Sequence, residues 1–439
     1  MSSEAPAATA APSAPPPWVT AAKLWLTAYR TEVVLFAVTF LALSMFSGQR
    51  FLRQSEAPHF VYQAKAFLEG RLDIDPQVLP NIEDWACVRQ VNGVPTRCAG
   101  QLQPGDRWFS SFPAFPAVVM LPFVAINGYQ LNDTSFGVFI AALAVALFHS
   151  LLRVVTEKEG LDRPVGENTA LALVLCFGSV FFYCAIRGEV WFGAEVMGVA
   201  LTCLYARNAL QARRPVLAGL FFSMAVLTRT PLLFTGIFFV LEARRAAKPE
   251  LSRKLMLFAA GAAPLALLGA WFNLARFGSP TEFGHRFFFN NRVNLDIDTY
   301  GLFHPHYLMR NIEAAFLKLP KLHTGPFALE YDPHGLSLLL TLPLLVLLVA
   351  PKLKPALWKT VLVTVACCAL PGLLYQNDGY MQFGFRFSLD YTPWLLLAFA
   401  LSGYRLRTPS VAALAALGVL VNFWGAVAFR GYTEYVRNW

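Results

Sequence analysis

The stretch QRFLRQSEAPHFVYQAKAFLEG, residues 49–70, places a carboxylate, Glu56, and an imidazole, His59, just past a long apolar run. A carboxylate held partly out of water has a raised pKa and becomes a better base, able to take a proton from an attacking hydroxyl. Further acids stand at Asp73, Asp75, Glu189, Glu195, Glu282, Asp378 and Asp390, and further cationic or titratable groups at Arg276, His285, Arg286 and Arg386. Arginine binds phosphate oxygens in a bidentate fork, so these residue types can supply both a base and a grip on an anion.

The elements that must position them are apolar. Of the 439 residues, 56% are apolar and 14% charged, far below the roughly one quarter charged of an average globular chain. Apolar segments recur at 25–47, 112–128, 134–155, 168–185, 190–212, 214–228, 230–244, 254–275, 334–350, 356–375, 390–404 and 409–428. Runs of this kind read as membrane-spanning helices, and the chain as an all-α polytopic membrane protein. The net charge of +9 is weak evidence for a nucleic-acid partner, because basic residues of a membrane protein collect on cytoplasmic loops. No nucleic acid is expected.

If all twelve segments crossed, the basic loop at 244–254 would face outward, against the positive-inside rule. The segment 112–128 carries Pro113, Pro116 and Pro122 and suits a dip into the membrane without crossing. About eleven spans then remain, and Arg153, Lys158, Arg163, Arg207, Arg213, Lys352 and Arg405 all fall inside. Residues 1–22, opening MSSEAPAATAAPSAPPP, read as a disordered cytoplasmic tail, and 23–439 as a single transmembrane domain. Two long outer loops follow, 48–111 and 276–333, with a short outer stretch at 376–389.

In the first loop, helical spacing of Phe60, Ala64, Phe67 and Leu68 predicts an amphipathic helix over 55–69, lying on the membrane and stopped by Gly70. Ser55 and Glu56 would also suit its N-cap and first turn, a purely structural role. Cys87 and Cys98 flank VNGVP, a turn signal, and would pair in an oxidising compartment. Glu189 and Arg187, in IRGEVWF, form either a solvated loop pair or a substrate contact. Arg386 and Asp390 share a helical spacing that suits an ion pair as well as a phosphate contact. Arg229, between two threonines, fits either backbone carbonyls or substrate. His285, His304, His306, His323 and His334 lie in or just after the second loop, and HPH at 304–306 is poorly arranged for a shared metal.

SEAPHFVYQAKAFLEGRLDID resembles the first-loop pattern of the GT-C superfamily of membrane glycosyltransferases, in particular the bacterial branch that includes protein O-mannosyltransferase-like and lipid A aminoarabinose transferase-like enzymes. GDRWFSSFPAFPAVVMLPFVAINGY, LTRTPLL, NLARFGSPTEFGHRF and GYMQFGFRFSLDYTPWLLL are similar to further blocks in the same order, so the resemblance spans about residues 25–405. Position 55 is Ser where many relatives carry the first acid of a pair, and Glu56 stands at the second; Asp73 or Asp75 is the alternative base.

The resemblance implies sugar transfer from a polyprenyl-phosphate donor to an extracytoplasmic glycolipid, glycan or protein, with inversion at the anomeric carbon. Glu56 is the expected base. His59, Asp75, Glu189, Arg276, His285, Arg286 and Arg386 are the expected substrate contacts. No metal ligand is read, although a divalent Mg or Mn ion between outer carboxylates and the donor phosphate is compatible with the family. The implied location is a bacterial inner membrane, multi-pass, with the site facing the periplasm or cell exterior. A transporter or flippase of lipid-linked saccharides is the alternative; it would show matched halves and ionisable groups at the midplane.

Overall fold

Apolar composition becomes long helix in only part of this chain. The computed structural model describes residues 17–80, 84–289, 291–322, 329–330 and 332–437. In chain order the elements are α1 (Pro17–Ala28), α2 (Arg30–Ser47), α3 (His59–Leu68), β1 (Trp85–Val91), β2 (Val94–Arg97), β3 (Arg107–Ser110), α4 (Phe115–Asn127), α5 (Asp133–Lys158), α6 (Val165–Phe177), α7 (Phe181–Ala185), α8 (Val190–Ala209), α9 (Pro215–Val226), α10 (Gly236–Ala246) and α11 (Leu251–Phe277). They continue with α12 (Asn291–Tyr300), α13 (Leu308–Ile312), two-residue strands β4 (Lys321–Leu322) and β5 (Leu329–Glu330), α14 (Leu338–Thr341), α15 (Ala356–Leu374), α16 (Thr392–Leu401) and α17 (Pro409–Arg437).

Among the described residues, five helical stretches are long and apolar enough to cross a membrane, rather than the eleven expected: Arg30–Leu52, Asp133–Lys158, Lys248–Phe277, Ala356–Leu374 and Pro409–Phe429. The other runs are apolar for a different reason. The 168–185 run breaks at Gly178 between α6 and α7, and 334–350 is one helical turn followed by a 3-10 segment from Pro343. Residues 230–244 divide into a 3-10 piece and α10, and every residue of α16 is buried by protein. A run can thus be apolar because neighbouring helices surround it, and not because lipid does.

The bundle has two distinct ends. At one, Arg153 donates to the Ala28 carbonyl, Arg207 to the Tyr29 hydroxyl, and Arg245 bonds Glu159 and Glu242. Arg163 and Glu167 hold the 404–407 turn at the same end. At the other, Asn132 caps α5 and binds the Phe51 carbonyl, so the end of α2 meets the start of α5. The basic groups and the long loops therefore occupy opposite ends, as the charge pattern of the sequence requires.

The long-loop end carries an antiparallel sheet of order β2-β1-β3 that the sequence reading did not foresee. Asn92 and Gly93 take φ of 51° and 78°, the left-handed pair that a tight hairpin needs, and Val91 pairs Val94 across it. Cys87 and Cys98 are disulfide-bonded at a Cα separation of 5.4 Å and close this hairpin. The helix expected over 55–69 runs from His59 to Leu68, starts after Pro58, and packs on α4. Ser55 and Glu56 precede it and do not cap it; that structural reading is corrected because Pro58 holds the N-cap position. The expected tail ends sooner than residue 22, since Pro17 opens α1, where its fixed φ suits a first helical position; residues 1–16 lie outside the described residues.

Small residues let α9 and α11 touch backbone to backbone. A Cβ on Gly219 would lie 2.0 Å from the Phe258 carbonyl oxygen, and one on Gly261 would lie 2.1 Å from that of Val216. This is the small-residue packing that holds helices together where lipid removes the hydrophobic incentive. Gly261→Val is expected to force the pair apart and destabilise by about 1–3 kcal/mol, read as a lowered thermal midpoint of the purified protein, whereas Gly166→Ala, with no neighbour in reach, should leave the midpoint unmoved.

Candidate functional site

The N-terminus of α8 is pinned to the segment that carries Glu56. Val190 N donates to the Ala57 carbonyl at 3.0 Å, and Gly188 sits so close to Thr134 that a Cβ would lie 2.6 Å from its backbone nitrogen. Ser55 donates to Asp133 twice, from its backbone nitrogen at 2.7 Å and its hydroxyl at 2.6 Å. An acid thus stands beside position 55 through space, contributed by α5.

Around this junction a charged group assembles. Arg187 grips Glu189, with Nη2 to Oε1 at 2.7 Å, donates to the Tyr183 hydroxyl at 3.0 Å, and lies in the field of Glu56. Arg50, from the 3-10 turn that follows α2, adds its charge near Glu189 and Tyr183. Arg50 and Arg187 line a cavity of about 40 Å³ with Phe46, Ser47, Tyr183, Ile186 and Ala426. Glu56 is exposed while Glu189 is buried. The group therefore offers two guanidinium groups at one cavity and an exposed carboxylate whose charge reaches Arg187.

A second group lies across Phe192, whose ring is flanked by Arg187 at 5.3 Å and Arg386 at 5.6 Å. Arg386 approaches Glu195 at 3.3 Å, and Arg229 holds Asp390 through two bonds of 3.0 and 2.7 Å while standing 3.7 Å from Glu195. The expected pairing of Arg386 with Asp390 is replaced by this crossed arrangement, because the 386–390 segment is a 3-10 turn and not an α-helix. Arg229, expected on backbone carbonyls or substrate, is held by carboxylates instead. Gln382 accepts from Arg386 and donates to the carbonyls of His334 and Asp378, so it fixes Arg386 from behind.

Above this network sit aromatic and imidazole rings. His59 is buried and stacks on Trp85 at 4.1 Å. His285 lies 6.1 Å from Tyr375 and 6.5 Å from Phe112, ring to ring. Trp191 donates its indole N–H to Asp84 at 2.8 Å, and Asp84 holds a left-handed φ of 74°. Burial, helped by the nearby Arg229 charge, pushes His285 down to about 4.

Other expected contacts lie apart from both groups. Arg276 is buried, but its guanidinium donates to the carbonyls of Ser110 and Phe272 and to Asn273, and stacks on Phe272 at 3.7 Å. It fastens β3 to α11. Asp75 accepts from the Gln77 nitrogen on an exposed turn, Asp73 pairs with Arg107, and Arg286 is an exposed partner of Glu282. His304 and His306 pack around Tyr300, and His323 lies outside the described residues. Cys87, Cys98 and Asp106 cluster closely enough for a metal, but the disulfide removes the thiolates. Sequence reasoning missed Arg50, Asp84, Trp191 and Tyr375. Arg50 had a signal, standing at the end of the first apolar run; Asp84, beside Trp85 in a loop of mixed polarity, had none. Comparison of the chain with protein-family models, with curated proteins and with solved structures finds no match.

Two outcomes follow. Arg229→Met strands Asp390 without its partner and is expected to destabilise by about 3–5 kcal/mol, while Arg229→Met with Asp390→Leu recovers most of that loss; thermal midpoints of the three proteins check it. His285 binds its proton less readily folded than at its ordinary 6.5, so the unfolded chain takes up more protons between pH 6.5 and about 4. Its contribution is intact above 6.5 and is lost as pH falls through that window. Unfolding titrations should show wild type losing up to about 1.4 kcal/mol per pH unit there relative to His285→Gln.

Proposed function

We propose that the protein is a membrane glycosyltransferase of the GT-C kind, which moves a sugar from a polyprenyl-phosphate carrier to a hydroxyl of a glycolipid, glycan or protein outside the cytoplasm of a bacterium. The observation that carries this reading is a small cavity lined by Arg50 and Arg187 at the loop-bearing end of the bundle, with the exposed Glu56 acting electrostatically on Arg187. That cavity opens between residues of α2 and α17, whose outer surfaces are apolar: Met45, Phe423, Trp424 and Val427 are all exposed. A polyprenyl tail fits along such a surface, with its phosphate at the arginines.

The chemistry is a single displacement. The acceptor oxygen forms a bond to the anomeric carbon as the bond from that carbon to the phosphate oxygen breaks. Glu56 takes the acceptor proton, and the polyprenyl phosphate leaves with the bonding pair, its charge met by the guanidinium groups. Attack opposite the leaving group inverts the anomeric centre. Arg386, His59 and His285 belong to the wall of the site in this reading, Glu189 orients Arg187, and Asp75, Arg276 and Arg286 serve the outer scaffold. A divalent ion is not needed for the step as written.

Incubation of the purified protein with a radiolabelled polyprenyl-phosphate sugar and a membrane acceptor extract should give labelled product. Glu56→Gln, with an unchanged thermal midpoint, should lower the rate about 10²–10⁴-fold. Protein-dependent movement of the lipid-linked sugar across vesicles without transfer would instead identify a flippase.

A further inference from the structure

Two turns at the basic end of the bundle are packed into one surface. The first, residues 350–355, leads into α15 and holds Lys352 and Lys354; the second, residues 402–408, leads into α17 and holds Arg405 and Arg407. Leu353 N donates to the Ser402 carbonyl at 2.9 Å, the Tyr404 hydroxyl donates to the Ala350 carbonyl at 2.8 Å, and the Lys352 ammonium lies 4.8 Å over the Tyr404 ring. Each turn immediately precedes one of the long apolar stretches, Ala356–Leu374 and Pro409–Phe429, so both stand where such a helix would leave the hydrocarbon. Val349 and Leu353 are 88% and 57% exposed beside the lysines, an apolar surface that suits acyl chains better than water.

The charge of this surface is not balanced by protein. Neither turn contains an acid, and α15 has none in its first turn, where Lys359 is also exposed. Asp162 pairs with Arg405 at 3.3 Å. The buried Glu167 faces Arg163 and accepts from the backbone nitrogens of Leu406 and Arg407. Lys352, Lys354, Lys359 and Arg407 form no ion pair among the described residues, which leaves a surplus of four formal positive charges. Elsewhere at the same end Arg153 and Arg245 each meet a carboxylate. Arg405 also keeps its Nη1 buried without a hydrogen bond among the described residues, a charged donor short of an acceptor.

We infer that these joined turns bind an anionic phospholipid, with its headgroup phosphate among Lys352, Lys354 and Arg407 and its acyl chains beside Val349 and Leu353. The lysines act as point charges and the arginine as a planar fork on the phosphate oxygens. Each cation close to an anionic lipid surface strengthens attachment about fivefold. The site stands at the end of the bundle away from Glu56 and does not depend on the sugar-transfer chemistry.

The test is native mass spectrometry of the full chain, released from detergent micelles to which phosphatidylglycerol or phosphatidylcholine with the same acyl chains has been added. Phosphatidylglycerol should bind about tenfold or more tightly than phosphatidylcholine. Lys354→Gln and Arg407→Gln should each weaken phosphatidylglycerol about fivefold, while Arg213→Gln combined with Arg214→Gln, exposed cations elsewhere at the same end, should leave it unchanged. On wild type, a phosphatidylglycerol carrying a diazirine next to its headgroup should crosslink to residues 350–359 and 402–408, a readout that stands even where a variant fails to fold. Equal binding of the two lipids, unchanged binding in folded Lys354→Gln and Arg407→Gln, an equal loss in the Arg213 and Arg214 control, or crosslinks confined to other segments overturns the assignment. Displacement of the lipid by inorganic phosphate at constant ionic strength would mark a site for free anions and overturn it as well.

Discussion

Four charges buried at the loop-bearing end of an apolar bundle have to neutralise one another, and that requirement organises much of this structure. Glu195 comes from α8, Arg229 from the break between α9 and α10, and Arg386 and Asp390 from one 3-10 turn. Each isolated charge would carry a desolvation penalty of several kcal/mol, so each element is held where its partner can reach. The network thereby fixes three separate parts of the chain against each other. It also supplies a rigid floor beneath the rings of His285 and Tyr375.

The outer cap is attached to that floor by polar and aromatic contacts. Arg276 reaches from the end of α11 to the Ser110 carbonyl, Phe109 packs on Phe277, and Phe289 N donates to the Trp85 carbonyl. These bonds tie the first long loop to the second. The disulfide within the hairpin stiffens the same sheet. Between cap and bundle lie two neighbouring charged groups: the cavity lined by Arg50 and Arg187, and the network of Glu195, Arg229, Arg386 and Asp390. Phe192 divides them while touching an arginine on each side.

The sequence disclosed the broad plan because that plan follows from charge and apolarity. The basic residues Arg153, Arg207 and Arg245 do share one end, and Cys87 does pair with Cys98. It could not disclose the number of long helices, since apolar residues facing protein look like apolar residues facing lipid; α16 is the clear instance. The crossed pairing of Arg229 with Asp390 joins positions 161 residues apart, beyond any local spacing argument. Arg276 illustrates a related point: an arginine looks the same in sequence whether it binds a ligand or a carbonyl, and here its guanidinium holds carbonyls. The outer sheet escaped because its strands are short and only the Asn92–Gly93 turn announced it.

The account depends on Glu56 and the arginine-lined cavity facing the compartment outside the cytosol. The direct measurement is labelling of Glu56→Cys in intact cells with a membrane-impermeant maleimide, in a Cys367→Ser background. Labelling of position 56 in intact cells without permeabilisation is the expected result. Labelling only after the membrane is opened, with the protein folded, would contradict the account.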